Sequence, residues 1–111
     1  PSVVYTNPEI SCVDKTEEEL KESNTSYKVF KLPMAYSGRF MAENETGNGL
    51  CKIITDNNEQ IIGCHILGNP SSEIIATAGI AIENNYTLEE FQKIIFPHPT
   101  VAEIIHEILY M

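Results

Sequence analysis

The sequence predicts an α+β domain in which helices pack on one face of a mainly antiparallel sheet. Three observations carry this. Short β-forming runs fill the chain up to Leu67, and two of them flank a turn-rich linker as a hairpin. From Ser71 onward the apolar residues recur at three- and four-residue steps. Strands therefore come first and helices last, an order that disfavours a parallel sheet built from alternating strand and helix.

Ser2 to Tyr5 and Ile10 to Val13 read as short strands on either side of Asn7-Pro8, a turn-forming pair. Thr16 with Glu19 has the spacing of a capping box, opening a short acidic helix that runs to about Glu22. Tyr27, Val29 and Phe30 supply β-forming residues up to Pro33. Met34 to Asn44 reads as a further strand, with Gly38 permitting a turn or bulge. Leu50–Ile54 and Ile61–Leu67 flank Asp56-Asn57-Asn58-Glu59 and form the clearest hairpin. Ile74, Ile75, Ala78, Ala81 and Ile82 mark a buried helix from Ser71 to about Asn84, with small residues that permit close packing. Thr87 with Glu90 forms a second capping box, ahead of the stripe Leu88, Phe91, Ile94 and Ile95 that Pro97 ends. Thr100 with Glu103 forms a third, and Val101, Ile104, Ile105, Ile108 and Leu109 share the face of a helix running almost to the end of the chain.

One domain is expected, because 111 residues suffice for one core and not for two. With 42% hydrophobic and 21% charged residues the composition is that of a soluble globular chain, and no apolar run reaches the ~18 residues a membrane span needs. The 7 basic residues are scattered among 16 acidic ones, for a net charge of −9, which argues against nucleic-acid binding. Pro1-Ser2-Val3-Val4-Tyr5 has no initiator Met and no signal-peptide pattern, so a fragment or processed product of a longer protein is expected. Cys12, Cys51 and Cys64 are odd in number and lack a C-x-x-C pair, which points to a reducing compartment and to neither a disulfide framework nor a metal site.

The chemistry is expected in His98-Pro99-Thr100 with Glu103. His98 lies between two prolines, which restrict its backbone and can hold its imidazole rigidly ahead of a helix, as a catalytic base requires. A surface or structural role remains the ordinary reading of a lone histidine. Two occupations are open to Glu103: the carboxylate of the capping box with Thr100, or the partner that orients the imidazole. His65, inside a strand, reads as structural, and His106 as solvent-facing. Cys51 and Cys64 could meet across the hairpin as buried, inert thiols. Neither a G-x-G-x-x-G nor a G-x-x-x-x-G-K-[ST] loop occurs, so the chain has no recognisable nucleotide site of its own.

Pro1-Ser2-Val3-Val4-Tyr5-Thr6-Asn7-Pro8-Glu9, the run Gly63-Cys64-His65-Ile66-Leu67-Gly68, and His98-Pro99-Thr100 with Glu103 occur in an order that resembles one family over essentially the whole chain. It is the C-terminal interface, or dimerisation, domain of the flavin-dependent pyridine nucleotide-disulfide oxidoreductases, most like the dihydrolipoamide dehydrogenase branch. The resemblance implies that family's interface-domain fold across residues 1–111, with the FAD- and NAD-binding domains and the redox disulfide on segments absent from this chain. It implies a homodimer in which His98 exchanges protons with the dithiol substrate and redox thiols in the partner subunit's active site. Glu103 would pair with His98, backbone near His98 would approach the partner's flavin, and the His98-Pro99 bond would be cis.

The substrate so implied is dihydrolipoamide on a lipoyl carrier domain of a 2-oxo acid dehydrogenase complex, with electrons passing through the redox disulfide and FAD to NAD. The compartment would be the cytoplasm, or the mitochondrial matrix in a eukaryote. By itself the 111-residue domain would be inactive and would bind no cofactor. Phe96 stands where many of that branch have a second His, Asp14 where a Gly is usual, and Ser37 and Phe40 replace the usual Asn and Ala around Arg39. The alternatives are the same domain of a glutathione reductase-like enzyme, which shares His-Pro-Thr, and a stand-alone dimerising module without catalysis. Leu109-Tyr110-Met111 lacks the terminal cysteines of mercuric reductase.

Overall fold

The structure, a computed structural model, describes residues 2–6, 8–37, 39–40, 49–94 and 100–108, the side chains of Ala35 and His106 excepted. Five strands form one antiparallel sheet: β1 (Ser2–Val4), β2 (Ile10–Asp14), β3 (Lys28–Pro33), β4 (Leu50–Thr55) and β5 (Ile61–Leu67), in the order β1-β2-β5-β4-β3. The helices are α1 (Glu17–Glu22), α2 (Ser71–Glu83), α3 (Leu88–Gln92) and α4 (Glu103–Ile108), with a 3₁₀ turn at Met34–Tyr36.

The predicted hairpin is the centre of this sheet. Asp56 Oδ1 accepts from the backbone N–H of Asn58 at 2.9 Å and of Gln60 at 3.0 Å, a local bridge that turns the chain from β4 into β5. An irregularity at Ile54/Thr55 shifts the register, so that Ile54 faces Gly63 and Thr55 faces Ile61. β2 then pairs with the free side of β5, opposing Val13 to Cys64 and Ser11 to Ile66. Pro33, which cannot donate to a ladder, ends β3 at the sheet's edge. Asp14, at φ 60, occupies the left-handed region, the conformation for which a Gly is the usual choice and Asp one of the few tolerated substitutes.

Alternation along the strands decides what is buried. Leu32, Cys51, Ile53, Cys64, Ile66 and Val13 point to one face and join Ile74, Ile75, Ala78 and Ala81 of α2 and Ile104, Ile105 and Ile108 of α4 in a single core. Cross-strand partners on the opposite face remain open in one apolar row: Val4, Ile10, Leu67 and Leu50 are all exposed. α1 lies by that opposite face, where Glu17 Oε2 receives Lys52 Nζ at 2.9 Å. The Lys52 hydrogen bond holds the Glu17 carboxyl below its ordinary pKa.

The capping boxes are realised to different degrees. Thr87 and Glu90 form both arms, Glu90 N–H donating to Thr87 Oγ1 at 3.2 Å and Thr87 N–H to Glu90 Oε1 at 3.3 Å. At α1, Thr16 Oγ1 accepts from Glu19 N–H at 3.1 Å.

The strand expected over Met34 to Asn44 is corrected where the structure describes it. Met34–Tyr36 is a 3₁₀ turn closed by Ser37 N–H on Met34 O at 2.9 Å, and residues 39 and 40 are helical. The reason is tertiary: Met34 N–H donates to Gly49 O at 3.1 Å, and the fully buried Phe40 sets its ring against Gly68. The remainder of that expected strand, Gly38 and residues 41–44, lies outside the described residues.

Candidate active-site segment and its supports

His98, its bond to Pro99, Phe96, the end of the last helix at Leu109 and the side chain of His106 lie outside the described residues. The described part of the site begins at Thr100, two residues past His98. Thr100 N–H donates to Glu103 Oε1 at 2.7 Å, a distance typical of a charge-assisted bond. This is the carboxylate arm of the predicted box. The next turns tighten, Ile104 N–H donating to Val101 O and Ile105 N–H to Ala102 O, both at 3.1 Å, before α4 runs down onto β4 and β3. The apolar side of α4 is buried in the core, which fixes Glu103 at its first turn.

Thr100 is also held at its carbonyl. Ser37, only 5% exposed, directs Oγ to Thr100 O at 3.3 Å and accepts from Phe40 N–H at 3.2 Å with the same atom. In the sequence Ser37 stands out only as a replacement near Arg39; the contact spans 63 residues and leaves no local signal. Beside it, Arg39, Pro70, Ile74, Thr100, Val101 and Ala102 line an open cleft of about 300 Å³.

The remaining candidates have structural explanations. His65 Nε2 lies 2.9 Å from Lys15 O, which ties β5 to the segment after β2. Cys51 and Cys64 are free thiols, wholly buried. The hydrogen bond with Cys51, together with burial, pushes the Cys64 thiol well above its ordinary pKa, so it is held in the protonated form that is neither nucleophile nor metal ligand. No group of three His, Cys, Asp or Glu side chains suited to a metal occurs among the described residues, and no helix among them is long and apolar enough to cross a membrane.

Among the described residues the long helix that follows a strand is α2, and its N-terminus, where a pyrophosphate would sit, already carries a carboxylate. Glu9 Oε1 accepts from Ser72 N–H at 3.1 Å and from Ser72 Oγ at 2.8 Å, while Glu9 N–H donates to Asn69 Oδ1 at 2.8 Å. The turn they clasp contains a cis Asn69-Pro70 bond.

Comparison with known proteins agrees with this architecture. The chain is 37% identical over 108 residues to mitochondrial dihydrolipoyl dehydrogenase of Caenorhabditis elegans, covering 96% of this chain and 22% of that protein. The corresponding protein of Pisum sativum is 39% identical over the same length, covering 96% and 21%. The chain thus spans about a fifth of the length of these curated relatives. Among solved structures, the HOCl-induced flavoprotein disulfide reductase RclA of Escherichia coli superposes with a TM-score of 0.91 at 28% identity, over 99% of this chain and 25% of that one. LpdA of Mycobacterium tuberculosis, at 22% identity and a TM-score of 0.89 over 98% and 24%, shares the fold. Residues 1–109 match the family described as pyridine nucleotide-disulphide oxidoreductase, dimerisation domain, and the chain belongs to that family.

Proposed function

We propose that this chain is the C-terminal dimerisation domain of a dihydrolipoyl dehydrogenase, and that it lends His98 to the active site of the partner subunit. The full protein, a homodimer, reoxidises dihydrolipoamide carried on a lipoyl domain of a 2-oxo acid dehydrogenase complex, in the cytoplasm or the mitochondrial matrix. The observation that carries this reading is the match of residues 1–109 to the pyridine nucleotide-disulphide oxidoreductase dimerisation domain, with His98-Pro99-Thr100 inside the matched span. Support for the branch comes from relatives named dihydrolipoyl dehydrogenase at 37 to 39% identity along the whole domain.

In this reading His98 accepts the proton of the first substrate thiol as its thiolate attacks the redox disulfide and breaks the S–S bond. It hands that proton to the expelled redox thiolate, and then accepts the proton of the second substrate thiol as that sulfur displaces the remaining redox sulfur as a thiolate and closes the lipoamide disulfide. Glu103 has two oxygens; one serves the Thr100 N–H, and the other steadies the imidazole and its charge. FAD and NAD, held by other segments of the full protein, supply the onward transfer of the electron pair. This chain's own task is to place one proton acceptor rigidly at an interface.

The test is His98→Ala in the full-length flavoprotein. Loss of a positioned acid–base group lowers turnover by ~10²- to 10⁴-fold, with dimer mass and flavin content unchanged. Near-normal turnover of dihydrolipoamide in that variant ends the assignment.

A further inference from the structure

We infer that the exposed apolar row on the open face of the sheet is the seat of the FAD- and NAD-binding segments of the same polypeptide, a placement that rests on the proposed reading of this chain as one domain of a larger flavoprotein.

The row crosses the whole sheet. Register aligns Val4 with Ile10, Ile10 with Leu67, Leu67 with Leu50 and Leu50 with Pro33, one residue from each of the five strands. At ~4.8 Å between neighbouring strands this makes an apolar strip about 19 Å long. Val4 is 52% exposed, Ile10 47%, Leu67 40% and Leu50 38%, and Tyr5, next to Val4 in the chain, is 78% exposed. The open face of an antiparallel sheet ordinarily carries polar residues. The adjoining row follows that rule, with Ser2, Cys12, His65, Lys52 and Lys31 in line and Lys52 paired with Glu17 of α1. A contiguous apolar strip with a polar rim marks a contact surface.

Size decides between the occupants. The chain spans about a fifth of the length of its curated relatives, so most of such a protein lies around or beside this domain. A second copy would need a broader patch, since a stable dimer buries ~20 to 30 residues on each side, and the strip offers one residue per strand before the lysines begin. Contacts between domains of one polypeptide are smaller and more polar, because the covalent link removes most of the cost of association. A short apolar strip beside Lys31 and Lys52 has that character.

The test is made on the wild-type full-length flavoprotein, so no substitution puts the fold at risk. Hydroxyl-radical oxidation of Ile10, Leu50 and Leu67 is expected to run about fivefold or more below the rate that exposures of 38–47% would give, because the core of such a contact is desolvated. In dimers reassembled from equal parts of light and isotope-labelled subunits, amine cross-links from the exposed Lys31 to the FAD- and NAD-binding segments should join peptides of one isotope only. Links between light and heavy peptides would place the partner subunit on the row and overturn the inference, as would oxidation at the rate of open side chains. A protected row from which Lys31 yields no link to those segments overturns it too. A native protein that carries no flavin refutes the reading of the chain as a flavoprotein domain, and its visible spectrum shows this before either measurement is made.

Discussion

Replacing Glu103 by Gln separates the two occupations of that carboxylate. The Thr100 N–H sits 2.7 Å from Glu103 Oε1, and Gln retains an oxygen that can accept the same bond. What is lost at the cap is charge: a charge-assisted bond is about twice as strong as a neutral one, and an anion at a helix N-terminus adds ~0.3 to 1 kcal/mol. Together these amount to about 1 kcal/mol of stability. The cost to catalysis is larger if the second oxygen faces the imidazole of His98. Two unit charges ~4 Å apart attract by ~4 kcal/mol at an effective dielectric near 20. Even one third of that corresponds to about tenfold in rate. Expected, then, is a fall in dihydrolipoamide-dependent NAD reduction of about tenfold or more in full-length Glu103→Gln, with exchange of the Thr100 amide accelerated only slightly. Glu103→Ala should match it in turnover yet lose a further ~1 kcal/mol of protection at Thr100, because no acceptor remains. Wild-type turnover in Glu103→Gln, with amide protection the only casualty, would show that the carboxylate is a cap and nothing more.

Two further outcomes test the scaffold that carries the site. A Cβ placed on Gly63 would collide with the carbonyl oxygen of Lys15, whose N–H donates to Ile62 O at 3.0 Å; Gly63→Ala should therefore destabilise the domain by ~2 to 3 kcal/mol as this backbone contact is forced apart, and an unshifted urea midpoint would contradict the close approach. Ser11 and Ser71, both fully buried, share one hydrogen bond at 2.9 Å between β2 and α2. Removing either hydroxyl should cost ~1 to 3 kcal/mol by stranding the other, while the double alanine variant should cost clearly less than the sum; strict additivity in denaturant unfolding would argue that the pair is not coupled.

The parts of the fold that could be read in advance are those whose cause is local. The apolar runs Leu50–Ile54 and Ile61–Leu67, the Asp56 turn, the spacing of Ile74, Ile75, Ala78 and Ala81, and the Thr87/Glu90 box each contain their own explanation within a few residues. Met34 to Phe40 does not. Its residues look β-compatible, and the shape they adopt is set by Gly49 and Gly68, partners that no window around residue 37 contains. The same holds for the site. His98 is a lone histidine on local chemistry, and only the ordered resemblance along the chain singles it out. Thr100 and Glu103 are marked by cap spacing, whereas Ser37 acts across 63 residues and has no such signature.

That asymmetry has a mechanical reason. In a site completed across a dimer, the positional error of a proton acceptor includes the error of its own domain, the interface, and the partner's thiols. Productive geometry tolerates only ~0.5 Å. A cap such as Thr100/Glu103 fixes the start of α4 relative to α4 and leaves its register on the sheet to the buried apolar side of the helix and to bonds from other elements. A bond from the β3 turn to the Thr100 carbonyl ties the next peptide, Thr100–Val101, to the sheet instead. The local contact can be encoded by spacing, since both partners lie on one helix turn. The contact that registers the helix against the sheet must come from elsewhere in the chain, so it is tertiary by necessity. Losing Ser37 should accordingly loosen the start of α4 over the sheet while leaving the Thr100–Glu103 cap intact. Exchange at the Thr100 amide in Ser37→Ala should then stay near wild type even as the domain loses about 1 kcal/mol of stability, and strongly accelerated exchange there would show that the cap and the Ser37 bond are one support rather than two.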